Sequence, residues 1–112
     1  MNEFIYINEV GPRDGLQNQK TILDIDSRTE LIHQLIKAGI PGIEIGSFVS
    51  PKAVPAMAGT DEIVKSLENI KNCDLSVLIP NMKGYELACD AGAKIISVVP
   101  SATETMNQKN IN

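Results

Sequence analysis

Histidine is nearly missing from this chain. The one present, His33, falls off the apolar stripe of a predicted helix, reads as a surface residue and is assigned to no metal. Cysteine is scarce as well. Cys73 and Cys89 form neither a CxxC pair nor a disulfide framework, so reduced thiols in a cytoplasmic protein are expected. No apolar run approaches the roughly 18 residues of a membrane span. Met1-Asn2-Glu3 opens neither a basic segment nor a signal-type apolar core. Basic charge is in deficit, with 10 Lys+Arg against 14 Asp+Glu and a net charge of −4. That argues against a general nucleic-acid binder, while leaving local lysines free to hold an anionic ligand. What is there is 112 residues, 43% of them hydrophobic, enough for one globular domain with a modest core.

The apolar residues fall into an alternating pattern. Residues 4–10, 43–47, 75–79 and 94–99 read as strands, each stopped by Pro or Gly or running into a polar loop. Three helices lie between them. The first has Ser27 as candidate N-cap with Glu30 completing a capping box. Leu31, Ile32, Leu35 and Ile36 form its buried stripe, and Gly39 ends it. The loop from Ser50 to Met57 carries two prolines and reads as stiff and non-helical. Thr60 is the candidate cap of the second helix, with Ile63, Val64, Leu67 and Ile70 buried. Asn81 caps the third, which runs to about Ala91 with Leu87, Ala88 and Ala91 as its apolar side. Strands alternating with helices predict an α/β fold with a parallel sheet in the order one-two-three-four, the helices on one side.

In such a sheet all strand C-termini share one edge, where α/β proteins carry their sites. Arg13, Asp14 and Gln17 follow the first strand, and Glu44 and Ser47 lie near the end of the second. Asn81 follows the third, and Ser101, Thr103 and Glu104 the fourth. The stretch Gly11-Pro12-Arg13-Asp14-Gly15-Leu16-Gln17-Asn18 is the densest polar chemistry in the chain. It reads either as a plain strand-end turn or as a site. As a site, the carboxylate can hold a hard cation, and the guanidinium can stabilise an oxygen that becomes negative. Glu44, set among isoleucines, either faces solvent or is buried with a partner, because an unpaired buried carboxylate is costly.

These motifs resemble a known family. Val10-Gly-Pro-Arg13-Asp14-Gly-Leu-Gln17-Asn18, Ile43-Glu44-Ile-Gly-Ser47-Phe-Val-Ser50-Pro51-Lys52, Pro80-Asn81-Met-Lys83-Gly84 and Lys109-Asn110-Ile111-Asn112 are similar, in order, to 3-hydroxy-3-methylglutaryl-CoA lyase. The wider group is that of metal-dependent lyase and synthase TIM barrels. The resemblance implies a (β/α)8 barrel, of which this chain would be the N-terminal half (residues 1–112, incomplete at the C-terminus). It implies metal-dependent retro-Claisen cleavage of 3-hydroxy-3-methylglutaryl-CoA to acetoacetate and acetyl-CoA, in leucine catabolism and ketone-body formation. By the same resemblance Asp14 is a ligand of Mg2+ or Mn2+. Arg13 faces the thioester oxygen, and Glu44 supports Arg13 or bound water. Gln17 and Ser47 either orient substrate or make ordinary turn and loop hydrogen bonds.

The expected partners are an acyl-CoA substrate and a second copy in a homodimer, with no nucleic acid and no membrane. Coenzyme A contacts are expected from Lys20, Lys52, Lys83 or Lys109. The family's His-x-His ligands and its cysteine on a glycine-rich loop do not occur in these 112 residues, so the piece is expected to be inactive alone. Two other readings stay open: a lyase or Claisen-type synthase for another substrate, and a non-catalytic half-barrel that self-associates.

Overall fold

The structure, a computed structural model, describes residues 5–98. The expectations for Phe4, Val99, Ser101, Thr103, Glu104 and Lys109 lie outside those residues. Seven regular elements alternate: β1 (Asn8–Glu9), α1 (Ile25–Lys37), β2 (Gly42–Ser47), α2 (Thr60–Ser66), β3 (Asp74–Leu78), α3 (Met82–Ala91) and β4 (Ile95–Ser97). The strands form one sheet in the order β1-β2-β3-β4. Every pairing is parallel, as expected. Sequential parallel strands joined by right-handed crossovers put the helices on one face. There Ile32 of α1, Ile63 of α2 and Ala88 of α3 pack with Ile43, Ile45 and Val77 of the sheet. Each fully buried isoleucine contributes about 1.5–3 kcal/mol.

β1 is much shorter than the predicted strand. It pairs with β2 only through Asn8–Gly42 and Glu9–Ile43. Ile5, Tyr6 and Ile7 are exposed, because nothing among the described residues covers them. Tyr6 instead donates its hydroxyl hydrogen to Asp74 Oδ2 of β3, at 2.8 Å. After Val10 the chain makes one π-helical turn, Gly11–Gly15. The amides of Arg13, Asp14 and Gly15 converge on the Val10 carbonyl, while Pro12, which has no N–H to satisfy, is buried beneath them.

Helix starts differ from the sequence reading in two places. Asp24, not Ser27, caps α1: its Oδ1 accepts from the Ser27 amide at 2.7 Å. Aspartate and serine cap equally well, and at this position the Asp24 carboxylate also suits the positive end of the helix. Thr60 is the first residue of α2, and Gly59, at φ 79°, caps it. Thr60 is not free to cap, because its hydroxyl donates to the Met57 carbonyl at 2.7 Å and accepts from Arg28. The loop read as non-helical contains a 3-10 turn, Pro55–Met57, since Pro at the first helical position lacks only an unused donor.

Asn81 caps α3 as expected, accepting from the Gly84 amide at 2.9 Å. The buried side of α3 is Gly84, Ala88 and Ala91, and Leu87 is exposed. Gly84 completes that i, i+4, i+7 stripe because a Cβ there would meet the Phe48 carbonyl oxygen at 3.0 Å. Gly39, at φ 89°, closes α1 as expected. The Gly39 amide donates to Ile36 and the Ile40 amide to Leu35, the paired bonds of a Schellman ending.

Candidate active site on the sheet's C-terminal edge

The π-turn after β1 delivers Arg13 across the face of β2. Arg13 Nε donates to Glu44 Oε1. Its Nη1 donates to Gln17 Oε1 at 3.2 Å and to Asp14 Oδ1 at 3.3 Å. Its Nη2 makes no hydrogen bond among the described residues. Exposure differs sharply across the cluster: the Glu44 side chain is 7% exposed and Arg13 15%, whereas Asp14 is 61% exposed. Glu44 is therefore buried with a partner, which decides between the two readings of that residue. A guanidinium held through Nε and Nη1 is fixed in orientation and keeps the Nη2 hydrogens unused among the described residues.

Ser47 joins Glu44 by an irregularity in β2. Glu44 registers with Ser76 and Ser47 with Leu78, the register shifting between Glu44 and Gly46. Ser76 and Leu78 are two apart and share a face of β3. Glu44 and Ser47, three apart, therefore share a face as well, which a regular strand forbids. The extra residue of this bulge leaves Ile45 and Gly46 on the helix side, where Ile45 joins the core. Ser47 is 1% exposed, and its Oγ has no partner among the described residues. It makes no hydrogen bond to the Arg13 cluster.

Other expected groups take different places. Asn81 is used as a helix cap. Lys20, Lys52 and Lys83 are exposed, and so is His33. Cys73 is buried and Cys89 exposed, both as free thiols. Burial, then the neighbouring Asp74, pushes the Cys73 thiol pKa up. Among the described residues no group of three His, Cys, Asp or Glu could hold a metal ion. Two cavities of about 300 Å³ flank the sheet, one near Ser47 and Thr60 and one near Cys73 and Gly92. Neither includes Arg13, so the clustered chemistry lies outside both.

Arg28 escaped the sequence reading. It is 1% exposed and has no carboxylate partner among the described residues. Its Nη1 donates to the Ala58 carbonyl at 2.5 Å and its Nη2 to Thr60 Oγ1 at 3.2 Å. Burial lowers its pKa, yet a guanidinium stays charged. The signal was legible: Arg28 stands four residues before Ile32 and seven before Leu35, on the apolar stripe itself.

Comparison with known proteins agrees with this architecture. Residues 4–112 match the HMGL-like family model. A mitochondrial hydroxymethylglutaryl-CoA lyase of Rattus norvegicus is 47% identical over 96% of this chain and 33% of its own length. A Pseudomonas aeruginosa lyase named for 3-hydroxy-3-isohexenylglutaryl-CoA and hydroxymethylglutaryl-CoA is 44% identical over 93% of this chain and 35% of its own. An HMG-CoA lyase of Acinetobacter baumannii, solved with coenzyme A and 3-methylmalate, superimposes with a TM-score of 0.90 at 39% identity. That match covers 99% of this chain and 37% of the other. The chain thus spans about a quarter to a third of the length of the curated relatives it matches. Its sheet matches the N-terminal part of their TIM barrel. With this match over nearly every residue and the parallel four-strand sheet in the expected order, the chain belongs to the HMGL-like family.

Proposed function

We propose that this chain supplies part of the site for the carbon–carbon cleavage after which its relatives are named. The carrying observation is Arg13, held by Glu44, Gln17 and Asp14 with Nη2 open. In the reaction a base takes the proton of the substrate's tertiary hydroxyl. The O–H electrons form the ketone of acetoacetate, the C–C bond breaks, and its pair passes into the enolate of acetyl-CoA, which is then protonated. Arg13 donates to the thioester oxygen as negative charge collects there, the moment at which a preorganised donor contributes most. Glu44 keeps the guanidinium oriented, Gln17 fixes its other edge, and Ser47 presents a hydroxyl from the same face as Glu44.

Asp14 fits a divalent cation such as Mg2+ or Mn2+. Its carboxylate is the exposed member of the cluster, and oxygen is what hard ions prefer. When bound, the cation would acidify the substrate hydroxyl and hold its oxygens. The acyl-CoA's phosphates would meet Lys20, Lys52 and Lys83, with Lys109 as a further contact. The pathway we assign is leucine breakdown or ketone-body formation, in the cytoplasm; relatives with mitochondrial and with cytoplasmic names both exist. The exposed Ile95, Ile96 and Val98 at β4 support association of two copies, which size-exclusion with light scattering reads directly. The Pseudomonas relative's name favours a second reading, cleavage of a longer 3-hydroxyacyl-CoA.

The test joins this chain to the remaining two thirds of the Pseudomonas relative and assays both substrates. Acetoacetate release from the 3-hydroxy-3-methylglutaryl thioester is expected. Arg13→Gln should lower it about 10²–10³-fold. A folded chimera without cleavage, or one indifferent to Arg13→Gln, would overturn the proposal. Preference for the isohexenyl substrate would select the second reading.

A further inference from the structure

Arg28 is a charge buried without a counter-charge among the described residues, and its Nε has no hydrogen-bond partner there, so its burial is only partly offset by the bonds its Nη groups make. Those bonds tie three segments together. From α1 its guanidinium reaches under β2 to the segment that enters α2, through the Ala58 carbonyl and Thr60 Oγ1. Thr60 Oγ1 in turn holds the Met57 carbonyl. The same two side chains form the seat of the β2 bulge. A Cβ on Gly46 would lie 2.7 Å from Thr60 Oγ1 and 3.2 Å from Arg28 Nη2. Only glycine lets the bulged strand rest directly on the guanidinium. On the opposite face of that bulge Glu44 grips Arg13.

We propose that Arg28 is a positioning residue: from beneath β2 it holds the bulge at Ile45–Gly46, and through the bulge it fixes the Glu44 carboxylate that orients Arg13. The inference concerns the geometry of the Arg13–Glu44 pair. It stands or falls independently of which reaction the site serves.

The chain contains two arginines, Arg13 and Arg28, so its side-chain Nε–Hε spectrum should hold two signals. Arg13 Nε–Hε, bonded to a carboxylate, should be shifted downfield and exchange slowly with water. In ¹⁵N-labelled protein, Arg28→Met identifies the signals by deleting one. It should also speed Arg13 Nε–Hε exchange by about tenfold or more, as expected on loosening a hydrogen bond to a charged group. The Val77 backbone amide, in the core of β3, reports global opening and should keep its protection. Arg28→Lys, which retains the charge but can reach fewer acceptors, should restore part of the Arg13 protection.

Asn81→Ala removes the cap of α3, costs about 1 kcal/mol without taking a group from the core that packs on the bulge, and should leave the Arg13 signal alone. If Arg28→Met fails to fold, Thr60→Val removes one guanidinium acceptor at nearly constant volume. It should then speed Arg13 exchange several-fold by the same route. An unchanged Arg13 signal in folded Arg28→Met, or in Thr60→Val if that is the folded variant, overturns the proposal. So does Asn81→Ala speeding Arg13 exchange as much, since the effect would then be general loss of stability.

Discussion

Removing either member of the Arg13–Glu44 pair should destabilise the fold, and the two losses should be unequal. Among the described residues, Glu44 accepts one side-chain hydrogen bond, from Arg13, and is 7% exposed. Arg13→Met leaves that carboxylate buried without a donor, a change that costs about 3–5 kcal/mol. Glu44→Leu leaves a guanidinium that is 15% exposed and still bonded to Gln17 and Asp14. That loss should be smaller, about 1–3 kcal/mol. The double variant removes both charges and should be less destabilised than the sum of the singles by about 1–3 kcal/mol. Urea unfolding followed by far-UV circular dichroism measures all three. With a slope of about 1–2 kcal/mol per molar urea, Arg13→Met should lower the midpoint by about 2 M or more, at unchanged slope. A Glu44→Leu variant as unstable as Arg13→Met, or strict additivity in the double, would refute the reasoning. The pair would then not be the closed, asymmetric unit described above.

Gly46→Ala should cost about 1–3 kcal/mol, because its Cβ would lie 2.7 Å from Thr60 Oγ1; a midpoint equal to the parent's would mean that the bulge has room. Asn81→Ala removes the cap of α3 and should cost about 1 kcal/mol, seen as earlier thermal unfolding. Asp24 is held below its ordinary pKa of 3.8, chiefly by the Ser27 amide and then by the Ser27 hydroxyl. A depressed folded value stabilises above the unfolded pKa and is lost as pH falls through the folded one. The stability gap between parent and Asp24→Ala should therefore be full at neutral pH and close in acid, and a gap constant with pH would contradict the cap. Iodoacetamide on the folded chain should label exposed Cys89 and spare Cys73, which is buried with a raised pKa; mass spectrometry of the labelled peptides decides it.

Strand order, the parallel sense and the third helix were legible in the sequence because each rests on local signals. The Pro and Gly stops, the glycine ending of α1 at Gly39, and the Asn81 cap act within a few residues of where they stand. Of the polar set, Arg13, Asp14, Gln17 and Glu44 gather at the edge that residues following parallel strands share, while Asn81 is spent on a helix cap and Ser101, Thr103 and Glu104 lie outside the described residues. The cap of α1 was misplaced by three residues, because Asp24 and Ser27 are both good cap residues and local pattern does not rank them. Other facts depended on partners far along the chain. Whether Glu44 faces solvent or a cation is decided by Arg13, 31 residues earlier. Whether Thr60 can cap is decided by Arg28, 32 residues earlier, and by the Met57 carbonyl. That Glu44 and Ser47 share a face is decided by pairing with β3, because strand parity read from sequence alone puts residues three apart on opposite sides. Local sequence signals suffice for which elements form and for the edge of the sheet at which Arg13, Asp14, Gln17 and Glu44 gather. The tertiary structure alone decided which charges meet, since burial and register are properties of segments brought together.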